Sequence, residues 1–524
     1  MDWPRIEAIV YGEETAPRDV MGPRITQDGV LIQGFFPDAE EVSVISGKKT
    51  YVCEKEDEAG YFAVLLPVRK VPEYRFLIKM GETETECYDP YAFPCQITEE
   101  EEKSFCAGVY YEAYKKLGAH PVEIKGVKGT LFAVWAPNAV SVNIAGDFNG
   151  WIGRATIMHR MPMSGIFELF VPGVEAGTHY KYEIKVKGGE VLLKADPYGN
   201  SADHDPEGAS VVADVSAFQW NDGDWMKERH RFDDRKQPVS IYETSLEEWK
   251  SAEELVEFLA EEDFTHVELH PVMEYLDDIT GGYSTYAYYA PTSRFGSVTD
   301  FQKLVDELHQ AGVGVILDWT PAQFPRYASG LEKFDGTPLY ERQNPAEAIH
   351  PFWGTLLYNY GSPMVKDFLI SNACFWAEVY HADGLRMDDV DAMLTEMQQQ
   401  LDTLHALNEA LPDPQLSAAM ARMEKAGRSI VETVEATPAK AKQVRRFANY
   451  YLPDAVNVLQ QYAKLAKQGV RGENAASIRA EVEHNAASIA TAFENQLDAL
   501  YAAESMDLSA DLTVLQNMLK GQGL

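Results

Sequence analysis

The sequence predicts a multidomain protein with two N-terminal β-sandwiches, a truncated (β/α) barrel and an α-helical C-terminal region. Short apolar strands separated by turns fill about the first 215 residues. Alternating strand and helix patterns occupy the chain from about residue 238 to about residue 395. Beyond Gln398 the chain is rich in Ala, Gln, Leu and Glu with helical periodicity. The predicted domains are 1–110, 111–215, 238–395 and 396–524, and residues 216–237 are predicted to be a linker that runs over the surface.

Composition narrows the classes of partner. The chain has 524 residues, of which 45% are hydrophobic, so it can bury sizeable cores. Its net charge of −36 disfavours nucleic acid and anionic membrane surfaces as partners. A neutral ligand is compatible with this charge, although the charge by itself indicates only solubility.

The five cysteines and the N-terminal residues indicate a reducing compartment. The cysteine count is odd and no C-x-x-C pair occurs, so neither a disulfide framework nor a zinc site is predicted. Residues 1–5 lack a basic region followed by an apolar one, so we expect no signal peptide. No apolar run approaches the roughly 18 residues that a membrane span needs. We therefore expect a cytoplasmic protein.

The third predicted domain contains four strands in βα order. The predicted strands are Val239–Glu243, Phe264–Leu269, Val313–Asp318 and Gly384–Asp388. The predicted helices are 252–260, 300–311 and 363–380. Alternating units of this kind imply parallel strands joined by right-handed crossovers. A complete barrel has eight such units in roughly 250 residues, so the pattern predicts about half of a barrel.

The stretch His381–Asp388 carries the strongest chemical signal. It is predicted to be a buried strand that ends in a carboxylate, with Arg386 and Asp388 on the same face because side chains alternate. A nearby guanidinium keeps an aspartate ionised and oriented. A nucleophilic carboxylate at the C-terminal end of a strand is what a retaining glycosidase needs. These residues alone also fit a structural Arg–Asp pair in a core strand.

This stretch resembles the second signature block of the α-amylase superfamily, specifically of bacterial 1,4-α-glucan (glycogen) branching enzymes. Flanking runs are similar to the same family: 265–269, 288–296, 312–319 and 359–361. The resemblance extends from about Asp19 to about Leu394 with few gaps. It does not continue beyond Leu394.

The resemblance implies a retaining transglycosylase that forms α-1,6 branches in glycogen. It assigns the nucleophile to Asp388 and the orienting role to Arg386. It places Asp318 in the first signature block and Tyr283 as the aromatic residue that stacks at the cleavage subsite. Gln323 ends the first block as a substrate-binding residue. The implied substrate is an α-1,4-glucan, and the resemblance implies no metal and no organic cofactor.

Several departures from the family predict impaired catalysis. The acid Glu and the second Asp belong to later strands and have no counterpart in this chain. General acid catalysis is typically worth roughly 10²–10⁴-fold, so we expect little activity. Gln323 stands where the family has His, and it cannot carry an imidazole's charge. Other departures are Ser245, Glu247, Gly281 and Asp389.

The two sandwiches resemble the N-terminal module and the carbohydrate-binding module of branching enzymes. The first module fits a structural role as well as a glucan-binding one. In the second, the strand patterns are Phe132–Pro137 and Val142–Trp151. We expect Trp135 to fill the core, whereas Trp151, beside a Gly-rich turn, fits either the core or an exposed surface that stacks on sugar.

The tail, about residues 440–524, resembles the C-terminal helical region of the bacterial family named for 5-bromo-4-chloroindolyl phosphate hydrolysis. A generic amphipathic helical bundle is the alternative. Two further functions therefore stay open: an active branching enzyme completed by another chain, and a helical adaptor with a vestigial front half. A half barrel exposes a strand edge, so we expect a protein partner or the tail to cover it.

Overall fold

The computed structural model describes most of the chain and divides it into two compact units. The described residues are 2–204, 208–229, 238–246, 249, 253–277, 282–350, 354–387, 390–411, 413–437, 440–467 and 473–501. The units are Met1–Met387 and Asp388–Leu524. The division falls a few residues before the predicted domain boundary between 395 and 396.

The first module is a β-sandwich preceded by a helix. Its elements are α1 (Trp3–Val10), β1 (Gly22–Ile25), β2 (Val30–Phe35), β3 (Glu41–Ser46), β4 (Lys49–Val52), β5 (Glu54–Asp57), β6 (Tyr61–Leu66), β7 (Arg75–Met80) and β8 (Thr83–Cys87). They form two antiparallel sheets, ordered β1-β2-β6-β5 and β4-β3-β7-β8. Alternate residues of the strands, such as Val30, Ile32, Val42 and Val44, fill the core between the sheets. The predicted sandwich is confirmed.

The second module is also an antiparallel sandwich. Its elements are α2 (Glu99–Cys106), β9 (Gly118–Ile124), β10 (Val127–Trp135), β11 (Ser141–Gly146), β12 (His159–Arg160), β13 (Ile166–Pro172), β14 (His179–Lys185), β15 (Val191–Lys194) and β16 (Ser210–Val211). One sheet has the order β12-β13-β10-β9, and the other has β11-β14-β15 with β16 on β14. Trp135 is buried, and its indole N–H donates to the Ser164 carbonyl, as its predicted core role requires.

The segment after this sandwich was predicted to run over the surface, and that prediction is wrong for Asp222. Asp222 is buried and precedes a short helix, α3 (Gly223–Glu228). Its carboxylate lies within hydrogen-bond distance of the rings of His309 and His381. These contacts compensate the cost of burying the charge. Residues 230–237 of the predicted linker lie outside the described part of the chain.

The half barrel comes next, in βα order. Its elements are β17 (Ile241–Thr244), α4 (Glu253–Glu261), β18 (His266–Leu269), β19 (Met273–Tyr275), β20 (Thr285–Pro291), α5 (Val298–Gln310), β21 (Gly314–Trp319), β22 (Gln323–Phe324), α6 (Pro345–Ala348), β23 (Leu356–Leu357), α7 (Pro363–Val379) and β24 (Gly384–Met387). The sheet β17-β18-β21-β24 is parallel throughout. Its strand order is the order along the chain, as in the first half of a barrel. Ser297 and Asp300 form a capping box that starts α5.

The strand β24 was predicted to be buried, and this prediction is wrong. Arg386 is exposed, and Met387 keeps 56% of its surface. The cause is the position of the strand, because β24 pairs with β21 on one side and is an edge of the sheet among the described residues. In the part of the chain that the structure describes, β17 is the opposite edge of this sheet, and its Ile241 is 42% exposed.

One hydrophobic core joins the second sandwich to the half barrel. The core runs from Ile97 to Ala382 and takes residues from both modules. Polar contacts cross the same boundary: the Tyr114 hydroxyl donates to Glu378 at 2.6 Å, and the Lys194 ammonium donates to the Glu332 carbonyl at 2.6 Å. The sandwich therefore supports the half barrel as part of one packed body.

The second unit is helical, as predicted. Its elements are α8 (Val390–Ala410), α9 (Pro414–Ala436), α10 (Ala441–Arg446), a π-helical turn (Phe447–Tyr451), α11 (Leu452–Lys467) and α12 (Glu473–Ala499). Asp413 caps α9 by accepting from the backbone N–H groups of Gln415 and Leu416. A separate core runs from Met393 to Leu500 and includes Leu401, Met420 and Phe493.

Membrane spans and disulfides are both missing from the described residues. None of their helices is both long and apolar enough to cross a bilayer. The five cysteines are free thiols.

A buried carboxyl group makes the stability of the first unit depend on pH. Asp367 on α7 is fully buried, and burial raises its pKa to about 7. An unfolded aspartate titrates near about pH 4, so between about pH 4 and about pH 7 the folded state holds the proton that the unfolded state has lost. The free energy of unfolding therefore falls as the pH rises through that window, and the loss is complete above it.

Replacing Asp367→Asn removes this penalty. We expect the variant to melt at a higher temperature than the wild type at about pH 8, with a smaller difference at about pH 5. Differential scanning calorimetry at both pH values measures this. Asp224→Asn, at a fully exposed carboxylate, is the matched control and should change neither melting temperature. An Asp367→Asn difference that is the same at both pH values would contradict the assignment.

Candidate functional site

Charged side chains converge at the C-terminal ends of the parallel strands. Glu268 lies on β18, Asp318 on β21 and Arg386 on β24, and Asp318 and Arg386 are register partners. A guanidinium N–H of Arg386 lies 3.0 Å from a Glu268 oxygen and 3.2 Å from an Asp318 oxygen. The two carboxylates are nearly buried, whereas Arg386 is 41% exposed. The C-terminal edge of such a sheet is where α/β barrels place their active sites.

Two aromatic side chains complete this cluster. The Tyr283 hydroxyl donates to the second oxygen of Asp318 at 2.7 Å. The ring nitrogen Nδ1 of His270 lies 3.2 Å from the Tyr283 hydroxyl and 3.5 Å from the same Asp318 oxygen. Tyr283 is 42% exposed, so part of its ring stays open to a ligand. We call Glu268, His270, Tyr283, Asp318 and Arg386 the edge cluster.

The electrostatics of the edge cluster favour binding of hydroxyl groups. Burial raises the pKa of Glu268, the Arg386 guanidinium opposes this, and the Asp318 carboxylate adds to it. Ionised carboxylates only accept hydrogen bonds, and a guanidinium only donates them. The cluster therefore offers acceptors and donors side by side, next to a partly exposed aromatic ring, which suits a neutral polyhydroxylated ligand.

A buried ion pair fixes the hairpin that leads to Tyr283. Glu274 on β19 is fully buried and accepts hydrogen bonds from the Thr292 hydroxyl at 2.9 Å and from the Ser293 backbone N–H at 2.7 Å. Arg294 pairs with the same carboxylate and stacks on the Tyr275 ring at 4.1 Å. The loop that carries Tyr283 joins β19 to β20, so this pair ties β19, the strand before the loop, to the segment that follows β20.

The structure brings together three of the five predicted site residues: Tyr283, Asp318 and Arg386. Gln323 lies on β22, where its side-chain oxygen accepts from the Thr355 hydroxyl. Asp388 lies outside the described residues, so its role as nucleophile stays a prediction. Arg386 contacts Glu268 and Asp318. Its predicted role of orienting Asp388 stays a prediction for the same reason.

Sequence reasoning missed Glu268 and His270. Both were visible as polar residues at the end of the apolar strand Phe264–Leu269, in the alternation His266-Val267-Glu268-Leu269-His270. That alternation signals a strand with one polar face, and a polar face at the C-terminal end of a barrel strand indicates a functional position.

Family comparisons match both sandwich modules. Residues 2–91 match the N-terminal domain of alpha-1,4-glucan branching enzyme GlgB. Residues 116–199 match carbohydrate-binding module 48, the isoamylase N-terminal domain. The first range lies within the first sandwich and its helix, and the second lies within the second sandwich.

Curated relatives extend the match into the half barrel. A 1,4-alpha-glucan branching enzyme GlgB of Saccharophagus degradans is 42% identical over 407 residues, and one of Rubrobacter xylanophilus is 45% identical over 405 residues. Each alignment covers 74% of this chain and 56% of the relative. The N-terminal three quarters of this chain are homologous to branching enzymes. The chain thus spans about half the length of the curated relatives it matches.

The C-terminal part of the chain matches a second family. Residues 376–515 match the family of 5-bromo-4-chloroindolyl phosphate hydrolysis proteins, and this range begins well before the predicted start near residue 440. Among solved structures, the catalytic module of the multi-modular glycogen-degrading pneumococcal virulence factor SpuA aligns with 52% of this chain and 46% of its own length. That alignment has 18% identity and a TM-score of 0.42. By the sequence comparisons alone, the chain joins a region homologous to branching enzymes to a helical region that matches a second family.

Proposed function

We propose that this chain is a glucan-binding protein of branching-enzyme lineage with little or no branching activity of its own. The observation that carries the proposal is the edge cluster, which keeps groups suited to a sugar at the end of a sheet with four described parallel strands. The relatives are named for 1,4-alpha-glucan, so the substrate class we assign is an α-1,4-glucan such as glycogen.

Catalysis by retention requires two carboxyl groups about 5–5.5 Å apart, one as nucleophile and one as acid. Asp388 is our candidate for the nucleophile, but the sequence offers no counterpart of the acid or of the second sugar-binding Asp. Gln323 replaces the family's His and hydrogen bonds to Thr355. These departures support binding without efficient bond cleavage.

Trp151 gives the second sandwich a surface suited to sugar stacking. Its ring is 42% exposed, and its residue adopts a left-handed backbone (φ 64°) after the turn that ends in Gly150. The indole N–H donates to Asp147 at 3.1 Å, which fixes the ring. Asp147 also accepts from the backbone N–H of His179 at 3.0 Å. A fixed, exposed indole presents the flat apolar face on which a pyranose ring stacks.

Glycogen co-sedimentation of the full chain tests this proposal. We expect the wild type to pellet with glycogen and Trp151→Ala to bind about 3- to 10-fold more weakly, since one aromatic contact contributes about 0.5–1.5 kcal/mol. Tyr451→Ala, at an exposed aromatic residue of the helical unit, is the matched control and should bind like the wild type. A wild type that stays in the supernatant would count against glucan binding.

A helical adaptor is the second candidate function. The match to another family over residues 376–515 and the separate hydrophobic core of the helical unit favour it. In that case the front half is vestigial, and glycogen binding is absent while the helical unit stays folded. The co-sedimentation experiment therefore separates the two candidates.

The setting we propose is the cytoplasm. The net charge of −36 supports a protein that binds neither nucleic acid nor anionic membranes. Among the described residues β24 is an edge of its sheet, and this supports a protein partner that covers the half barrel. For glucan binding we propose no metal or organic cofactor.

A further inference from the structure

A second polar cluster lies at the opposite end of the parallel strands. His309 is in the last turn of α5, just before β21, and His381 lies just before β24. The same Asp222 oxygen, Oδ2, is 2.8 Å from Nδ1 of His309 and 2.7 Å from Nδ1 of His381. One potential ligand atom from each of the three residues lies within 4.8 Å of the others.

Packing fixes both imidazole rings and keeps water away from them. The Trp220 ring stacks on His381 with centroids 3.8 Å apart, and the Trp225 ring stacks on His309 at 5.2 Å. The side chains of His309 and Asp222 are 0% and 1% exposed. His381 keeps 16%, so any approach from solvent is on its side.

The far nitrogen of His309 supplies an independent observation. Its Nε2 lies 3.0 Å from Oδ2 of Asp383. Asp383 is itself held by the Val315 backbone N–H at 2.8 Å and by the Trp225 indole N–H at 3.0 Å. A histidine that binds a metal almost always donates its other N–H to a carboxylate, a backbone carbonyl or water, which fixes the ring and makes the ligand more basic.

The two carboxylates around His309 also favour a cation. Nδ1 of His309 faces Asp222 and Nε2 faces Asp383, so the ring lies between two acidic side chains. A divalent cation would bind Nδ1 of a neutral ring while Nε2–H still donates to Asp383. It would also balance the buried charge of Asp222, whose carboxylate faces two imidazoles.

We propose that Asp222, His309 and His381 bind a divalent transition-metal cation of the Zn²⁺ class. Two imidazoles and one carboxylate are an established zinc ligand set. The bound cation would tie the segment around α3 to the residues that precede β21 and β24. The resemblance to branching enzymes implied no metal, and positions 222, 309 and 381 are too far apart in sequence to form a zinc motif.

Calorimetric titration of the untagged, chelator-treated full chain with Zn²⁺ tests the site. We expect one tight equivalent and a higher melting temperature, since a cation that binds only the folded state stabilises it. Asp222→Asn keeps an oxygen for the histidines but loses the anionic ligand, and should lower the affinity at least about 100-fold. Asp383→Asn, which removes the carboxylate behind His309, should lower it about 10- to 100-fold.

Two controls keep the result specific. His405→Gln, at an exposed histidine of the helical unit, should titrate like the wild type. Because the chain has five free cysteines, a Co²⁺ spectrum must lack a thiolate charge-transfer band. The absence of a tight equivalent in the wild type, a thiolate band, or an Asp383→Asn variant that folds and binds normally would each overturn the proposal. In each of those outcomes Asp222, His309 and His381 only hydrogen bond to one another and do not bind a metal.

Discussion

We expect amylose that has been incubated with the full chain to give an unchanged absorbance spectrum when it is stained with iodine. Branching shortens the helical segments that bind iodine and so shifts the colour. The chain lacks counterparts of the family's acid Glu and second Asp. Loss of general acid catalysis alone lowers the rate by roughly 10²–10⁴-fold, and loss of the second Asp lowers it further.

The Rubrobacter xylanophilus branching enzyme is a suitable positive control, since it is 45% identical over the aligned region. A clear colour shift by the wild-type chain would contradict the proposed impairment. In that event Asp388→Asn decides whether the activity belongs to this site. Abolition would establish Asp388 as the nucleophile, and unchanged activity would exclude that role.

The variant Arg294→Met is expected to destabilise the first unit by about 3 kcal/mol. Removing one partner of a buried ion pair leaves the other charge uncompensated, which typically costs about 3–5 kcal/mol. Glu274 is 0% exposed and Arg294 is 17% exposed, so solvent cannot replace the lost partner. The remaining donors from Thr292 and Ser293 place the expected cost near the lower end of that range.

Urea unfolding followed by tryptophan fluorescence measures this loss selectively. All nine tryptophans precede residue 377, so the signal reports on the first unit. Arg75→Met is the matched control, because its pair with Glu86 spans 3.5 Å with both side chains about half exposed. We expect that control to change the free energy of unfolding by less than about 1 kcal/mol. Equal effects of the two variants would show that the Glu274–Arg294 pair is not a stabilising contact.

The order and type of the elements were predictable, but their surroundings were not. The four predicted strands of the third domain appear within a few residues of their expected bounds, because parallel strands are continuous apolar runs. The burial of β24 was predicted wrongly, since burial depends on whether a neighbouring strand exists. Asp222 was assigned to a surface linker because the residues around it in sequence are charged. Its two histidine partners are 87 and 159 residues away, so the local sequence contains no sign of them.

The same limit applies to the edge cluster. The signature blocks located Asp318, Arg386 and Tyr283, because each lies in a recognisable local pattern. The pairing of Arg386 with Glu268 depends on which strands are adjacent, and no local pattern contains that information. Gln323 shares a motif with Asp318, yet the antiparallel pairing of β22 with the distant strand β23 places it beside Thr355.

The two hydrophobic cores on either side of the boundary between the units have an evolutionary consequence. The first core ends at Ala382 and the second begins at Met393, and they share no residue. A recombination event between these positions would therefore divide neither of these two cores of the described residues. By contrast, a break near residue 235 would cut through the core that joins the second sandwich to the half barrel. The interval between residues 382 and 393 is thus where an exchange of genetic material leaves both of these described cores whole, a few residues beyond position 376, where the match to the second family begins.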